Sequence, residues 1–277
     1  MIRTISRRNL IAAVGFTAAA RAQSLRTVKD DYKQDLFYRD DWFGEPWRKP
    51  EAVVLIHGND ESSEEWYAWV PRMAQEYRVI RPDLPGLGHS NIPRGFDYTL
   101  PNLATFISQV MDKAGVDTAH IVGAKTGGAV ATRFAADFPK RTRTLVVVGG
   151  PLATFKVADP SPIPQRDRLG SNASKEMIAY WNTLFREGDR EGVKGLNKSL
   201  SNYDFAKEGV LQRITAPTLV ITADRSKMHS VEKARAQQSQ IPNSRLVVIR
   251  SDAYHIAAAN AQECLNHTLA FLKDQKV

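Results

Sequence analysis

The residue types that could do chemistry centre on one lysine. Gly123-Ala124-Lys125-Thr126-Gly127 joins an apolar run, Thr118 to Val122, to a segment from Thr126 to Asp137 whose apolar residues recur at helical spacing. The run reads as a short buried strand and the segment as an amphipathic helix. A strand that turns at once into a helix between close glycines makes a sharp bend, with the middle residue at its tip. An amine at that tip has two coherent roles. Burial and the positive end of the following helix both disfavour its charge. Held neutral, it can form a Schiff base with a ketone or aldehyde, an electron sink suited to decarboxylation or retro-aldol cleavage. Held charged, it is a fixed cation that binds a carboxylate or stabilises a developing oxyanion. It cannot simply stand in for a serine, because an amine attacking an ester leaves an amide that water does not readily hydrolyse.

No other constellation competes. The chain has no Gly-x-Gly-x-x-Gly after a strand, no phosphate-binding P-loop and no Cys or His cluster at metal-ligand spacing. No cofactor and no metal are therefore expected, and His229 and His267 stand alone.

The elements that must hold the lysine in place are legible. Ala52 to Ile56 is a continuous β-branched run, as in a strand buried on both faces, and it ends in His57-Gly58-Asn59-Asp60. Glu65 to Tyr77 reads as a helix, Tyr77 to Arg81 as a strand, and Asn102 to Gly115 as an amphipathic helix. Thr144 to Gly149, Pro217 to Thr222 and Arg245 to Ile249 read as further strands, and Ile256 to Lys273 as a closing helix. Asp35 to Arg39 suits an early edge strand, with Trp42 and Trp47 packing against the sheet. Strands alternating with helices, each link long enough for a crossover, predict an α/β fold with a mostly parallel sheet and helices on both faces.

Together these motifs resemble the α/β-hydrolase family over roughly residues 35 to 273. Gly-x-Lys-x-Gly is similar to its nucleophile elbow, Gly-x-Ser-x-Gly, with Lys125 in place of the serine. His57-Gly58 after the first buried strand resembles the opening of its oxyanion loop, and Asp83-Leu84-Pro85-Gly86-Leu87-Gly88-His89-Ser90 resembles a structural loop in which His89 is no catalyst. The resemblance implies an oxyanion hole from the amides of Asn59 and Thr126. It implies a catalytic histidine, His255, after the last strand. It places the acid after the strand ending at Thr222, where Ser226 stands at the acid's position and Asp224 two residues earlier. Asp224 either reaches His255 or is a surface carboxylate paired with Arg225. His57, Ser226 and Trp181 are candidate substrate contacts.

Between Gly150 and Thr215 the pattern breaks at Pro151, Pro160, Pro162 and Pro164, then resumes as short helices over Lys175 to Phe185 and Arg190 to Leu200. An insertion there resembles the family's lid, about residues 151–215. Met177, Trp181, Leu184 and Phe185 either line its roof or hold it to the body. Its small size implies a small substrate.

The first 22 residues are set apart from the remaining domain, 23–277. Ser6-Arg7-Arg8-Asn9-Leu10-Ile11, the apolar run to Ala20 and Ala20-Arg21-Ala22 resemble a twin-arginine export signal with its cleavage site, which implies a periplasmic protein exported already folded. The formal charge of +8 then falls by four arginines to +4, an ordinary basic surface and no footprint for nucleic acid. No membrane contact is expected after cleavage. The single cysteine, Cys264, reads as a small buried apolar residue. The partner expected is a small carbonyl-containing substrate, hydrolysed with Lys125 and His255 in the pocket. The alternatives are a Schiff-base lyase or decarboxylase on Lys125 and a non-catalytic small-molecule-binding protein.

Overall fold

A computed structural model describes residues 35–151, 163–184, 190–201, 203, 205, 207–226 and 229–275. The export signal, Pro160, Pro162 and Phe185 lie outside the described residues. Seven strands form one sheet. They are β1 (Tyr38–Asp41), β2 (Ala52–Ile56), β3 (Arg78–Pro82), β4 (Ala119–Ala124), β5 (Thr142–Val148), β6 (Thr218–Ala223) and β7 (Ser244–Ile249). Their order across the sheet is β1-β3-β2-β4-β5-β6-β7. Only β1 is antiparallel, pairing with β3.

Side chains on a strand alternate between faces, and both faces of this sheet are covered. Val54, Ile56, Ile80, Ile121, Leu145 and Val147 pack with Leu103, Ile107 and Phe134 on one face. Val53, Leu55, Val79, Val122, Val146 and Leu219 pack with Trp69, Met73, Leu265 and Leu269 on the other. That is why the central strands read as unbroken apolar runs.

The helices are α1 (Val70–Met73), α2 (Leu100–Lys113), α3 (Thr126–Asp137), α4 (Gln165–Leu169), α5 (Lys175–Leu184), α6 (Arg190–Ser201), α7 (Val231–Gln238), α8 (Ile256–Ala259) and α9 (Ala261–Asp274). Thr99 caps α2 by accepting from the Asn102 amide. Among the described residues no helix is long and apolar enough to cross a membrane.

The structure revises three local readings. The helix expected over Glu65 to Tyr77 is a 3-10 turn, Ser63–Ala68, followed by the short α1, because Pro71 has no amide to donate and the helix restarts around it. The closing helix breaks at Asn260, whose side chain meets Ser251 at 2.7 Å. Trp47 does not pack on the sheet: it is 78% exposed, beyond a turn in which Trp42 donates to the Glu45 carbonyl. Cys264 is buried, as expected of a small apolar residue.

Candidate active site

The bend between β4 and α3 is as sharp as its glycines suggest. Lys125 has φ 50° and ψ −123°, a left-handed conformation that a non-glycine residue rarely adopts. A side chain at Gly127 would collide with the carbonyls of Ile56 and His57, and one at Gly123 with the backbone of Gly127. The glycines thus let the elbow press against the end of β2. Such strain persists only when the surroundings over-determine it, and it gathers at functional sites. This is the α/β-hydrolase fold.

The comparisons agree. A sequence model described as alpha/beta hydrolase fold matches residues 51–170. The chain is 33% identical over 110 residues to a 2-hydroxy-6-oxo-2,4-heptadienoate hydrolase of Pseudomonas putida, a match covering 39% of this chain and spanning only 40% of that relative. It is 23% identical over 253 residues to a poly(3-hydroxyalkanoate) depolymerase of Ectopseudomonas oleovorans, covering 84% and 87% of the two chains. Among solved structures, an enol-lactonase from Burkholderia xenovorans superposes with a TM-score of 0.74 at 21% identity, over 86% of this chain and 96% of that one.

At the elbow of this hydrolase fold the lysine does not face an open pocket. It is 2% exposed, and its Nζ forms an ion pair with Glu61, itself 2% exposed. Glu61 sits on the loop after β2, where the Gly58 amide donates to its Oε2 at 3.0 Å. His255, at the start of α8, brings its Nε2 to 3.3 Å from Glu61 Oε1 and 3.4 Å from Glu65 Oε2. Glu65 comes from the 3-10 turn and is buried. Lys125 and His255 therefore meet across a carboxylate, with Tyr254 alongside: the Lys125 Nζ lies 5.4 Å from its ring centroid.

The electrostatics sort the two glutamates. Burial pushes Glu61 up, but His255 and Lys125 outweigh it, and its carboxyl is held well below the usual range. Burial and the neighbouring negative Glu61 instead hold Glu65 well above that range. Glu61 is thus the anion and Glu65 a neutral acid. Burial lowers His255, opposed by Glu61, so its ring is neutral at pH 7. Burial also lowers Lys125, again opposed by Glu61. Asp60, at φ 60°, is pushed up to about 6 by burial, moderated by Arg168 and Lys125.

This arrangement has a measurable signature. Unfolded Glu65 ionises near its ordinary pKa of 4.5 while the native group keeps its proton. Its contribution to stability is full below pH 4.5 and is lost as pH rises towards the native pKa, at up to about 1.4 kcal/mol per pH unit. Glu65→Gln keeps the neutral shape and cannot ionise. The urea midpoint of the variant should therefore gain on wild type as pH rises from 4.5 towards the native pKa; parallel curves would rule out the neutral acid.

Other expected residues fall differently. Asp224 is not directed at His255. Its carboxylate accepts from the Ser251 amide at 2.8 Å and pairs with Arg225 at 3.5 Å, tying the exits of β6 and β7 together. Ser226 lies half-buried on the same loop. His57 is fully buried: its Nε2 accepts from the Leu84 amide at 2.9 Å, so its Nδ1 carries the proton and donates to the Gly58 carbonyl at 2.7 Å. Both ring nitrogens are engaged, so His57 holds the loop and offers no atom to a ligand. The Asn59 side chain donates to the Val193 carbonyl and to Asn197 of α6, clasping the loop after β2 to that helix. Thr126 opens α3, so its amide is one of the helix's first, without an intrahelical acceptor.

Helices between β5 and β6 cover His255. Trp181 is fully buried, with its ring edge-on to His255 at 4.8 Å, and it shares a small core with Leu169, Leu184 and Ala258. Met177 packs on that core. The His255 amide donates to the Arg168 carbonyl at 2.8 Å. Trp181 thus both covers the imidazole and anchors α5. His89 binds Asp83 and stacks on Phe37, as a loop residue should.

Sequence reasoning missed Glu61 and Glu65. The one available signal was their position just after His57-Gly58, beside Trp66; their burial is seen only in the structure.

Proposed function

We propose that this protein hydrolyses small carbonyl compounds by direct attack of water, with no acyl-enzyme. The observation that carries this reading is the buried ion pair of Lys125 with Glu61. An amine paired with a carboxylate keeps its proton and is not a nucleophile. A neutral imidazole stands beside it, able to accept a proton.

In this reading His255 takes a proton from water as the water oxygen bonds to the carbonyl carbon. The carbonyl π electrons move to oxygen, and the oxyanion is held by the Lys125 ammonium and the amides of Asn59 and Thr126. Collapse of the tetrahedral species expels the leaving group, which takes the proton from His255. Glu61 holds both cationic partners in place during this cycle. Small oxo-acids, enol-lactones and short esters are the first substrates to test, in keeping with a small lid and with relatives named as a heptadienoate hydrolase and an enol-lactonase. Trp181 must lift from His255 to admit them. The twin-arginine-like N-terminus makes the periplasm the proposed compartment.

A second reading rests on one observation. Burial, aided by the Arg168 cation, displaces the Lys125 amine downward in spite of Glu61, which would suit a Schiff-base lyase. One experiment separates the two. The enzyme is quenched with acid during turnover of such a panel, with and without borohydride, and its intact mass is measured. Direct hydrolysis predicts turnover with an unmodified mass. A reduced adduct mapped to Lys125 establishes the lyase, and an acyl adduct on any residue overturns the water mechanism.

A further inference from the structure

We propose that His255, Glu61 and Glu65 form a binding site for one divalent transition-metal ion of the zinc class. The three donor atoms lie within 4.8 Å of one another, and all three residues are buried. The two separations that involve the imidazole, 3.3 Å to Glu61 and 3.4 Å to Glu65, decide the class. Ligand atoms bonded at about 2.0–2.1 Å to a tetrahedral ion stand about 3.3–3.4 Å apart. An imidazole and two carboxylates suit zinc and its neighbours, and three protein ligands leave one position open for water.

A second, independent observation points to an occupant. Neither oxygen of Glu65 and neither ring nitrogen of His255 makes a well-aligned hydrogen bond among the described residues, although both side chains are buried and crowd against Glu61. Buried polar groups left so are uncommon, and a bound ion is one of the few things that satisfies them.

Lys125 is the competitor. Its Nζ contacts Glu61 Oε1, the same oxygen that faces His255. An ion in the cluster would repel that ammonium, which can swing on its four-carbon stem towards the neighbouring Tyr254 ring. A metal-bound water at the open position would then supply the nucleophile that the elbow lacks. That last role rests on the hydrolase reading and would relieve His255, then a ligand, of taking the proton from water; binding of the ion does not rest on it.

The test is cobalt substitution of the full chain after chelation, read by visible absorption rather than by turnover. Wild type should take up one equivalent of Co2+ with the intense band of a tetrahedral ion, and Zn2+ should displace it. Glu65→Gln and His255→Asn should weaken binding by more than about tenfold. Lys125→Met should tighten it by at least about tenfold, because a repelling charge is removed. Circular dichroism of each variant confirms the fold, and the wild-type spectrum with Zn2+ displacement decides the matter if a variant fails to fold. No tetrahedral band at saturating cobalt, or a band that Glu65→Gln and His255→Asn leave unchanged, overturns the site. Turnover without metal uptake overturns this inference and leaves the hydrolase reading intact; metal uptake without turnover does the reverse.

Discussion

Lys125→Met is expected to destabilise the protein by about 3–5 kcal/mol, because it leaves a buried charge without its partner. Glu61 is 2% exposed, and beyond Lys125 it has the Gly58 amide at 3.0 Å and the neutral His255. With the ammonium gone, the carboxylate escapes most of the desolvation cost by taking up a proton. That escape fixes the pH dependence. In wild type the native pKa of Glu61 is depressed, so its contribution to stability is present above pH 4.5 and is lost as pH falls through the native value. In Lys125→Met that pKa rises, because one of the groups that depress it is gone while His255 remains. The difference between the two proteins should therefore widen as pH rises from the wild-type native value to that of the variant. Glu61→Gln alone should also be costly, because Lys125 is then unpaired. The double variant Lys125→Met with Glu61→Leu should recover most of the loss, since an apolar pair of similar volume needs no charge compensation. Urea titrations with unchanged slope measure all of this. Additive single effects in the double variant would show that Lys125 and Glu61 do not form a pair.

His255→Ala is expected to reduce hydrolysis by about 10²–10⁴-fold, the usual contribution of a positioned acid–base group. The ring is the only neutral base in the cluster, lying 3.3 Å from Glu61 and 3.4 Å from Glu65. Its removal should lower kcat and kcat/KM together, because proton transfer belongs to the transition state. Asp224→Ala should leave the rate within a few-fold of wild type, since that carboxylate bonds to Ser251 and Arg225 and not to the imidazole. Here the outcome departs from a hydrolase with the usual acid, in which loss of the carboxylate costs orders of magnitude. A large rate loss in Asp224→Ala would make Asp224 the partner of His255, and full activity in His255→Ala would remove His255 from the mechanism.

Most of the fold was legible in the sequence because it is written in local terms. Apolar β-branched runs at Ala52–Ile56 and Thr142–Val148 can be satisfied only inside a covered sheet, and Gly123 and Gly127 mark a turn that other residues would block. The same logic placed Lys125 at the elbow and His255 after the last strand. It failed at the long helix over Glu65 to Tyr77, which Pro71 interrupts.

The chemistry at the centre belonged to the tertiary structure. Glu61 and Glu65 look in the sequence like ordinary loop and helix acids, and nothing local says that they are buried. Their charge states follow from which of them touches Lys125, and that contact joins the loop after β2 to the turn after β4. Asp224 shows the converse: it stands two residues before the position of the acid, its role open between His255 and Arg225, and only the loop geometry shows its carboxylate bonded to Ser251. Composition and spacing fix which elements form, since those depend on neighbours along the chain. Which buried charge faces which depends on how the strands, loops and helices come together in space, and that was decided by packing.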